Sequence, residues 1–229
     1  MCPDTDKWVS VALAVLVVGA GFCPAAVPGD LIVNGSFEAG NSGFGTDLGC
    51  VPTPPFGLTQ NGVYAIAQNP ADWFYASPWA NMGDHTTGSG NMFLATPDPG
   101  SDRIWYESLN LIGGTVYTFS GWAAWVSLLD QNRPVLSLIA GGNSLGVFDL
   151  STLPAGTWGQ FSFSYTAAST GPVLFSIMDL ALSNDGNDFA LDDLTFAPVP
   201  EPGSLGLLGL GAVVAVIKAS RAKRRNSPE

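Results

Sequence analysis

Basic side chains are nearly absent from the middle of this 229-residue chain. Between Asp30 and Ala197 there are fifteen acidic residues against two basic ones, Arg103 and Arg133, and no lysine, which gives a formal charge of −13. Because such a surface cannot neutralise phosphates, we predict that nucleic acid is not a partner. The carboxylates keep the region soluble and can attract divalent cations.

Cysteine and histidine are scarce too. Cys2 and Cys23 lie in the N-terminal region, so Cys50 is the thiol left beyond it, and one thiol cannot form an internal disulfide. Phe22 precedes Cys23, where lipoproteins have a small residue, so we do not expect lipidation. His85 is the single histidine, which excludes a zinc site made of several Cys and His ligands.

Catalytic motifs are also lacking. A nucleophile–histidine pair would have to use His85, and no strand-to-helix Gly-x-Ser-x-Gly elbow is present. Asp98, Asp102 and Glu107 are available as the two carboxyls of a glycoside hydrolase, but acidic residues are common here, and spacing along the sequence cannot show whether two of them face each other across a bond. We therefore predict that the protein is not an enzyme, and keep a polysaccharide hydrolase as an alternative.

Long apolar runs occur only near the two ends of the chain. The first covers residues 8–22, a length typical of a secretory leader rather than of a membrane-spanning helix, and Ala25 and Ala26 follow it as small residues suited to cleavage. We predict a signal peptide over residues 1–26, handled by the Sec translocon and a signal peptidase.

The second apolar run lies between a proline-rich motif and a basic cluster. Val199, Pro200, Glu201 and Pro202 come first, followed by an uncharged segment at 203–217 and then by five cations within 218–225. As a helix, 203–217 would span about 22 Å, against about 30 Å for a hydrocarbon core. Because cations stay on the cytoplasmic side, we predict a short transmembrane helix with its basic tail inside.

This order of motif, helix and cations resembles the PEP-CTERM sorting signal of exported bacterial proteins. The resemblance covers residues 199–229 and implies processing by an exosortase-type membrane protease. The chain would then reside transiently in the inner membrane before reaching the cell surface or the extracellular matrix. An ordinary single-pass anchor is the alternative, although it has no need of Pro-Glu-Pro at its outer edge.

The region between the two ends is predicted to be one all-β domain, residues 30–197. Short runs rich in Val, Ile, Phe, Tyr and Thr alternate with Gly, Pro, Asn and Asp, and no helical periodicity is sustained. Ten such strands indicate a two-sheet jelly-roll sandwich. They are predicted at 31–33, 63–67, 91–95, 104–111, 116–126, 135–140, 144–149, 160–165, 173–178 and 189–196.

Two local patterns add detail. Gly113 and Gly114, between the fourth and fifth strands, supply the positive φ of a tight β-hairpin. In residues 161–165, Phe-Ser-Phe-Ser-Tyr, strict alternation puts the aromatic rings on one face of the strand and the serines on the other.

Several segments resemble galactose-binding-like jelly rolls, the fold of many carbohydrate-binding modules. They are 31–38 (LIVNGSFE), 109–122 (LNLIGGTVYTFSGW, similar to the central hairpin), 156–161 (GTWGQF) and 186–196 (GNDFALDDLTF). The resemblance implies that the first and last strands lie close together. It also implies a structural calcium ion at Glu38, Asp192 and Asp193.

Calcium takes six to eight oxygen ligands, which carboxylates and carbonyls can provide. Regular alternation would let only one of Asp192 and Asp193 point the same way as Glu38. The alternative is that Glu38 and one of the aspartates cap strand ends by accepting hydrogen bonds from backbone amides.

Six of the seven tryptophans lie in the domain. Because Trp73, Tyr75 and Trp79 occur in a Pro/Asn/Asp-rich stretch unlike a core strand, we expect them to form a sugar-binding surface with Asp84 and His85 nearby. The alternative is that all six tryptophans pack inside the sandwich.

The remaining tryptophans lie on predicted strands or strand entries. We expect Trp105 and Trp158 in the core. Trp122 and Trp125 lie on opposite faces of one strand, so at most one of them is buried by that sheet face.

The sequence therefore predicts an exported, non-catalytic protein of the cell surface or extracellular matrix, with polysaccharide as the expected ligand. The alternatives are a purely structural surface protein without a ligand site and, less favoured, a polysaccharide hydrolase.

Overall fold

The computed structural model describes residues 29–51, 58, 60–73, 79–100, 103–129, 132–183 and 186–200. The predicted signal peptide and transmembrane helix fall outside these residues. Within the part described, no helix is both long and apolar enough to cross a membrane.

The described residues form ten strands and two short 3-10 helices. The strands are β1 (Gly49–Cys50), β2 (Val63–Ala67), β3 (Met92–Thr96), β4 (Arg103–Leu111), β5 (Val116–Trp125), β6 (Val135–Ala140), β7 (Asn143–Asp149), β8 (Gly159–Thr166), β9 (Gly171–Asp179) and β10 (Phe189–Pro198). The 3-10 helices are Pro70–Asp72 and Leu150–Thr152. Nine of the ten predicted strands overlap these, and the predicted all-β two-sheet sandwich is confirmed.

The strands form two sheets that pack face to face. The six-stranded sheet has the order β1-β2-β3-β10-β5-β8 and the four-stranded sheet the order β4-β9-β6-β7. All pairs are antiparallel except β1 with β2. The last strand in the sequence, β10, is therefore an interior strand between β3 and β5.

The main core lies between the sheets and is largely aromatic. Trp105 of β4, Phe119 of β5, Phe175 of β9 and Phe196 of β10 have no exposed surface. The ring centroids of Phe175 and Phe196 are 4.4 Å apart. Burial of this apolar area is the main source of stability in a domain without disulfides.

Alternation in β8 follows the prediction. Phe161 is buried in the main core, and Phe163 and Tyr165 pack partly against it, whereas Ser162 and Ser164 are exposed. The serine face of β8 is therefore part of the outer face of the six-stranded sheet.

A second apolar cluster covers part of that outer face. Phe93 of β3 points into the main core, whereas its neighbours Met92 and Leu94 point outward into the second cluster. Trp73 and Trp79 cover them from the segment between β2 and β3. Strand β3 is thus buried on both faces, while β5 and β8 have polar outward side chains.

The glycine turn after β4 forms, but it does not make the predicted hairpin. Thr115 N donates to Ile112 O (3.2 Å), and Gly114 has φ +80°. However, β4 pairs with β9, and β5 pairs with β10 and β8, so this turn crosses from one sheet to the other. Glycines specify a turn but not the partner strand, and the hairpin prediction is wrong for that reason.

The predicted first strand, 31–33, is not regular. Leu31 N donates to Phe196 O and Leu194 N donates to Gly35 O, each at 2.9 Å, so the segment does lie beside the second half of β10. Asn34 has φ +58°, which ends any extended run. At Gly35 a Cβ would meet Leu194 O at 1.9 Å, so this close approach requires glycine.

Candidate functional site

Strand β10 is interrupted at Asp192 and Asp193. Its register with β5 shifts between Asp192 and Thr195, and Asp193 has φ +48°. This bulge turns both carboxylates to the outer face of the six-stranded sheet. The prediction that alternation would separate them is wrong, because it assumed a regular strand.

The two carboxylates hold the turn that contains His85. Asp192 Oδ2 accepts from His85 N (2.7 Å) and Thr86 N (3.2 Å). Asp193 Oδ1 accepts from Thr86 Oγ1 (2.6 Å), and its Oδ2 lies 2.6 Å from His85 Nδ1. Because an ionised carboxylate only accepts, this contact places the hydrogen on Nδ1 of His85.

Asp192 is completely buried. Burial raises the pKa of its carboxyl to about 6, and the neighbouring charge of Asp193 acts in the same direction against the backbone amides that lower the pKa. The surroundings of Asp192 therefore favour its neutral form more than water does.

Asp84 and Glu38 also bind loop amides. Asp84 is 3% exposed and accepts from Thr87 N (2.8 Å) and Gly90 N (2.6 Å). Burial opposes its ionisation, but these amides outweigh burial and lower the pKa of Asp84. Glu38 Oε1 accepts from Asn91 N (2.9 Å). Asp84 therefore stabilises its own loop, and its predicted place in a ligand surface is corrected.

The carboxylates predicted to bind calcium are thus engaged with protein donors. Asp192, Asp193 and Glu38 all accept hydrogen bonds from residues 85–91. Among the residues that the structure describes, no group of three or more His, Cys, Asp or Glu side chains could hold a metal ion. Calcium at this position stays a prediction.

Beside the carboxylates lies a group of three half-buried rings, which we call the aromatic trio: His85, Trp122 and Trp158. His85 stacks on Trp122, with ring centroids 3.8 Å apart and planes 17° apart, and meets Trp158 edge-on at 6.0 Å. Trp158 Nε1 donates to Gly83 O (3.1 Å). These contacts fix the rings at the border between the covered and the open parts of the sheet.

The predicted sugar surface around Trp73 and Trp79 is not formed. These side chains are 5% and 4% exposed, because their polar segment folds back over β2 and β3 and buries them in the second cluster. Tyr75 lies outside the described residues. Of the five residues predicted for this surface, His85 is the one found at the aromatic trio.

The other four tryptophans differ in burial, and on β5 the face of the strand decides which one is buried. Trp105 is buried as predicted, and Trp125 is 2% exposed whereas Trp122 on the opposite face is half-buried. Trp158, predicted for the core, is half-buried at the trio, so that prediction is corrected. The parity of Trp122 and Trp125 is the sequence signal that could have singled out Trp122.

A row of polar side chains continues from Trp122 along β5 and β8. Register pairs place Gln160 beside Trp122, Ser162 beside Ser120 and Ser164 beside Thr118. We call these polar residues the hydroxyl row: Thr118, Ser120, Gln160, Ser162 and Ser164. Those of β8 are exposed and those of β5 half-buried.

A polar groove of about 380 Å³ is lined in part by the residues that flank His85 in the sequence. Gly83, whose carbonyl accepts from Trp158, is among its lining residues. The other lining residues are Gln68, Asn69, Asp72, Asn81, Met82, Gly88 and Ser89.

Of the carboxylates considered for hydrolysis, the two that the structure describes belong to different sheets. Asp98 follows β3 of the six-stranded sheet, Glu107 belongs to β4 of the four-stranded sheet, and Asp102 lies outside the described residues. Both oxygens of Glu107 accept from Val33 N at 3.3 Å.

The tail carries a recognisable signal. Residues 198–225 match the model of the PEP-CTERM protein-sorting motif, which implies export, membrane-associated sorting and processing by an exosortase. Val199 and Pro200 are described, whereas Glu201 and Pro202 lie outside the described residues. No curated protein matches the chain.

One solved structure with a TM-score above 0.5 supports the fold, and two others are similar at lower scores. The apo form of a cyclase from Fischerella sp. matches with a TM-score of 0.51 at 14% identity, covering 78% of this chain and 100% of that one. A family 16 carbohydrate-binding module matches at 0.45 and 15% identity over 73% of this chain and 99% of the module. The tandem CBM22 domains of Paenibacillus barcinonensis Xyn10C match at 0.45 and 14%, covering 79% of this chain and 49% of the tandem.

Proposed function

We propose that this chain is an exported, non-catalytic protein of the cell surface or extracellular matrix that binds an uncharged polysaccharide. The binding surface would be the aromatic trio together with the hydroxyl row. The observation that carries the proposal is a half-buried trio of rings, held by stacking and by the hydrogen bonds of His85 and Trp158, at the head of a row of exposed and half-buried polar side chains. The sorting motif supports export.

The trio has the properties of a sugar platform. Ligand sites combine aromatic surface with a few polar groups that fix orientation. Stacking on His85 orients Trp122, and the bond to Gly83 O orients Trp158. Rings that are already fixed lose little conformational entropy when a ligand packs on them.

The hydroxyl row supplies the polar partners. Serine and threonine hydroxyls each donate and accept, and the Gln160 amide does both, which matches the hydroxyls of a sugar. From Thr118 to Trp122 the strand advances about 14 Å at about 3.4 Å per residue. An extended oligosaccharide could therefore make several hydrogen bonds along the row.

The charges near the trio favour an uncharged ligand. Asp193 is about one-quarter exposed beside His85. The two arginines of the domain have other partners. Arg103 pairs with Asp47 (2.8 Å), and Arg133 lies over the Trp125 ring and donates to Ser151 O. A polysaccharide bearing carboxylates or sulfates would meet a carboxylate here and no arginine.

The carboxylates also favour binding without cleavage. Glycoside hydrolases place two carboxyls about 5–10 Å apart on either side of the scissile bond. Asp192 is buried with both oxygens accepting from protein groups, and Asp193 contacts the same turn.

Affinity electrophoresis of the exported chain tests the proposal, using soluble glucan, xylan and galactan beside anionic polygalacturonate. We expect retardation by at least one neutral polymer, and Trp122→Ala should weaken it at least tenfold. Tyr106→Ala is the matched control, since this partly exposed ring lies on the four-stranded sheet. Circular dichroism checks that both variants fold.

Each outcome decides between the candidate functions. Equal binding by Trp122→Ala and the unaltered chain would contradict the site, and retention by polygalacturonate alone would contradict an uncharged ligand. Retention by none of the polymers would favour a purely structural surface protein. Release of new reducing ends from a polymer would favour a hydrolase.

A further inference from the structure

The sorting tail leaves the domain without a linker. Strand β10 pairs with β5 as far as Pro198 and Tyr117, and Val199 N still donates to Val116 O (2.8 Å). The sequence then continues with Pro200-Glu201-Pro202 and the apolar segment that begins at Gly203. Four residue steps separate Val199 from Gly203, and an extended chain covers at most about 14 Å in that distance.

Exposed apolar side chains surround the exit of the tail. Ile112, Val116 and Val199 are 65%, 41% and 43% exposed. They lie together because Val199 N is bonded to Val116 O and Ile112 is in the turn just before β5. We call this surface the tail end of the sandwich.

The turns at the tail end carry no charge, in contrast to the acidic domain as a whole. The segments 112–115, 141–142 and 167–170, which join strands at this end, contain no acidic or basic residue. Two carboxylates lie on or against the adjoining segment 30–33. Asp30 Oδ1 accepts from Ile32 N and Phe196 N. Glu107 accepts from Val33 N, and burial together with the charge of Asp30 raises its pKa. Uncharged turns with protruding aliphatic side chains can enter a lipid headgroup region at little desolvation cost.

We propose that the tail end contacts the lipid interface while the sorting tail is inserted in the membrane. Since the domain is tied within about 14 Å of the first apolar residue, this end reaches the bilayer before any other part of the sandwich. The proposal rests on the sorting motif and the pairing of Val199, and it does not depend on polysaccharide binding.

A fluorescent label at a single cysteine tests this contact. In a Cys50→Ser background of the chain without residues 1–26, which removes Cys2 and Cys23, an environment-sensitive dye is attached at Ile112→Cys or, as the control, at Leu182→Cys. Leu182 is 88% exposed and follows β9, which begins beside Leu111 at the tail end and therefore finishes at the opposite end. The exported chain, with its tail confirmed by mass spectrometry, is reconstituted in phosphatidylcholine vesicles.

We expect the dye at position 112 to shift to shorter wavelength and to be quenched by nitroxide-labelled lipid, and the dye at 182 to do neither. Inserting about ten Gly/Ser residues after Val199 should reduce the signal at 112 towards that at 182, because a linker of that length frees the domain. Equal signals at the two positions without the insertion would overturn the proposal. A shift at 112 only when the processing enzyme is present would also overturn it, in favour of contact with that protein.

Discussion

The outer face of the six-stranded sheet has two unlike halves. Over β2 and β3 it is apolar and covered by Trp73 and Trp79, whereas over β5 and β8 it is polar and open. The sequence of each strand matches the burial of its outer face. Strand β3 reads Met-Phe-Leu-Ala-Thr and is buried throughout, whereas β8 alternates aromatic residues with serine. One sheet can therefore carry both a core strand and a binding surface, and the aromatic trio marks the border between them.

The largest effect should come from the covered half. Leu94→Ala removes a fully buried side chain from the second cluster, so we expect a loss of about 2–5 kcal/mol in the free energy of unfolding. Ser162→Ala, on the open half, should change it by no more than about 0.5 kcal/mol. Urea unfolding of both variants measures this difference, and similar losses would mean that the two halves are not distinct.

The next effect concerns Asp192 at the border. Near pH 4 the Asp192 carboxyl is protonated, and both of its oxygens can still accept, whereas the NH2 group of asparagine cannot. One of the amides that donate to Asp192 therefore loses its partner in Asp192→Asn, and we expect a loss of about 1–3 kcal/mol near pH 4. Because the pKa of Asp192 is raised to about 6, the folded state binds the proton more tightly than the unfolded state. The stability of the unaltered protein must therefore fall as pH rises from about 4 to about 6.

Asp192→Asn has no carboxyl to titrate at this position, so this part of the pH dependence is lost. The difference in the free energy of unfolding between the unaltered protein and the variant should therefore narrow as pH rises from about 4 to about 6. Asp149→Asn is the control: the hydrogen bonds from Ser151 lower the pKa of Asp149, so its contribution is lost only under more acidic conditions. A deficit for Asp192→Asn that stays constant between pH 4 and pH 6 would contradict the raised pKa. Urea unfolding at several pH values provides the measurement.

A smaller effect is expected at Trp158. Phenylalanine keeps a ring at the trio but loses the hydrogen bond to Gly83 O, so the free energy of unfolding should fall by about 0.5–1.5 kcal/mol. Thermal and urea unfolding report the change. Unaltered stability in Trp158→Phe would show that this bond does not anchor the loop to the open half.

The smallest effect should follow chelation. Because the carboxylates predicted to bind calcium already accept from protein donors, we expect EDTA to move the thermal midpoint by less than about 1 °C, on a scale of about 2–4 °C per kcal/mol. Magnesium-free buffer without EDTA is the reference. A larger fall that added calcium reverses would support the predicted calcium site.

The strands could be read from the sequence because local features define them. Runs of β-branched and aromatic residues between turn residues located nine strands, and alternation in residues 161–165 gave the correct face. Which strands pair with each other could not be predicted from the sequence. The turn at Gly113 and Gly114 has the sequence of a hairpin turn, but the two strands that it joins belong to different sheets. Pairing depends on contacts far apart in the sequence.

The binding surface was only partly predictable for the same reason. A polar sequence around Trp73 and Trp79 indicates a loop, but it does not tell whether that loop folds back over a sheet. The positive φ of Asp193 is likewise imposed by the surrounding fold, and it places two consecutive carboxylates on one turn. His85 could be found because it is the single histidine, whereas Trp122 needed the assignment of strand faces.

The position of β10 has a consequence for how the domain folds during export. This strand lies between β3 and β5 and pairs with both, yet it is the last of the described strands in the sequence and so the last of them to be exported. The six-stranded sheet cannot close before residue 198 has emerged. The pairing of β10 with β3 joins segments about a hundred residues apart, which slows folding. Closure of the six-stranded sheet is therefore linked in time to sorting, because β10 directly precedes the sorting tail. The domain completes its sheet at about the moment when the tail reaches the membrane.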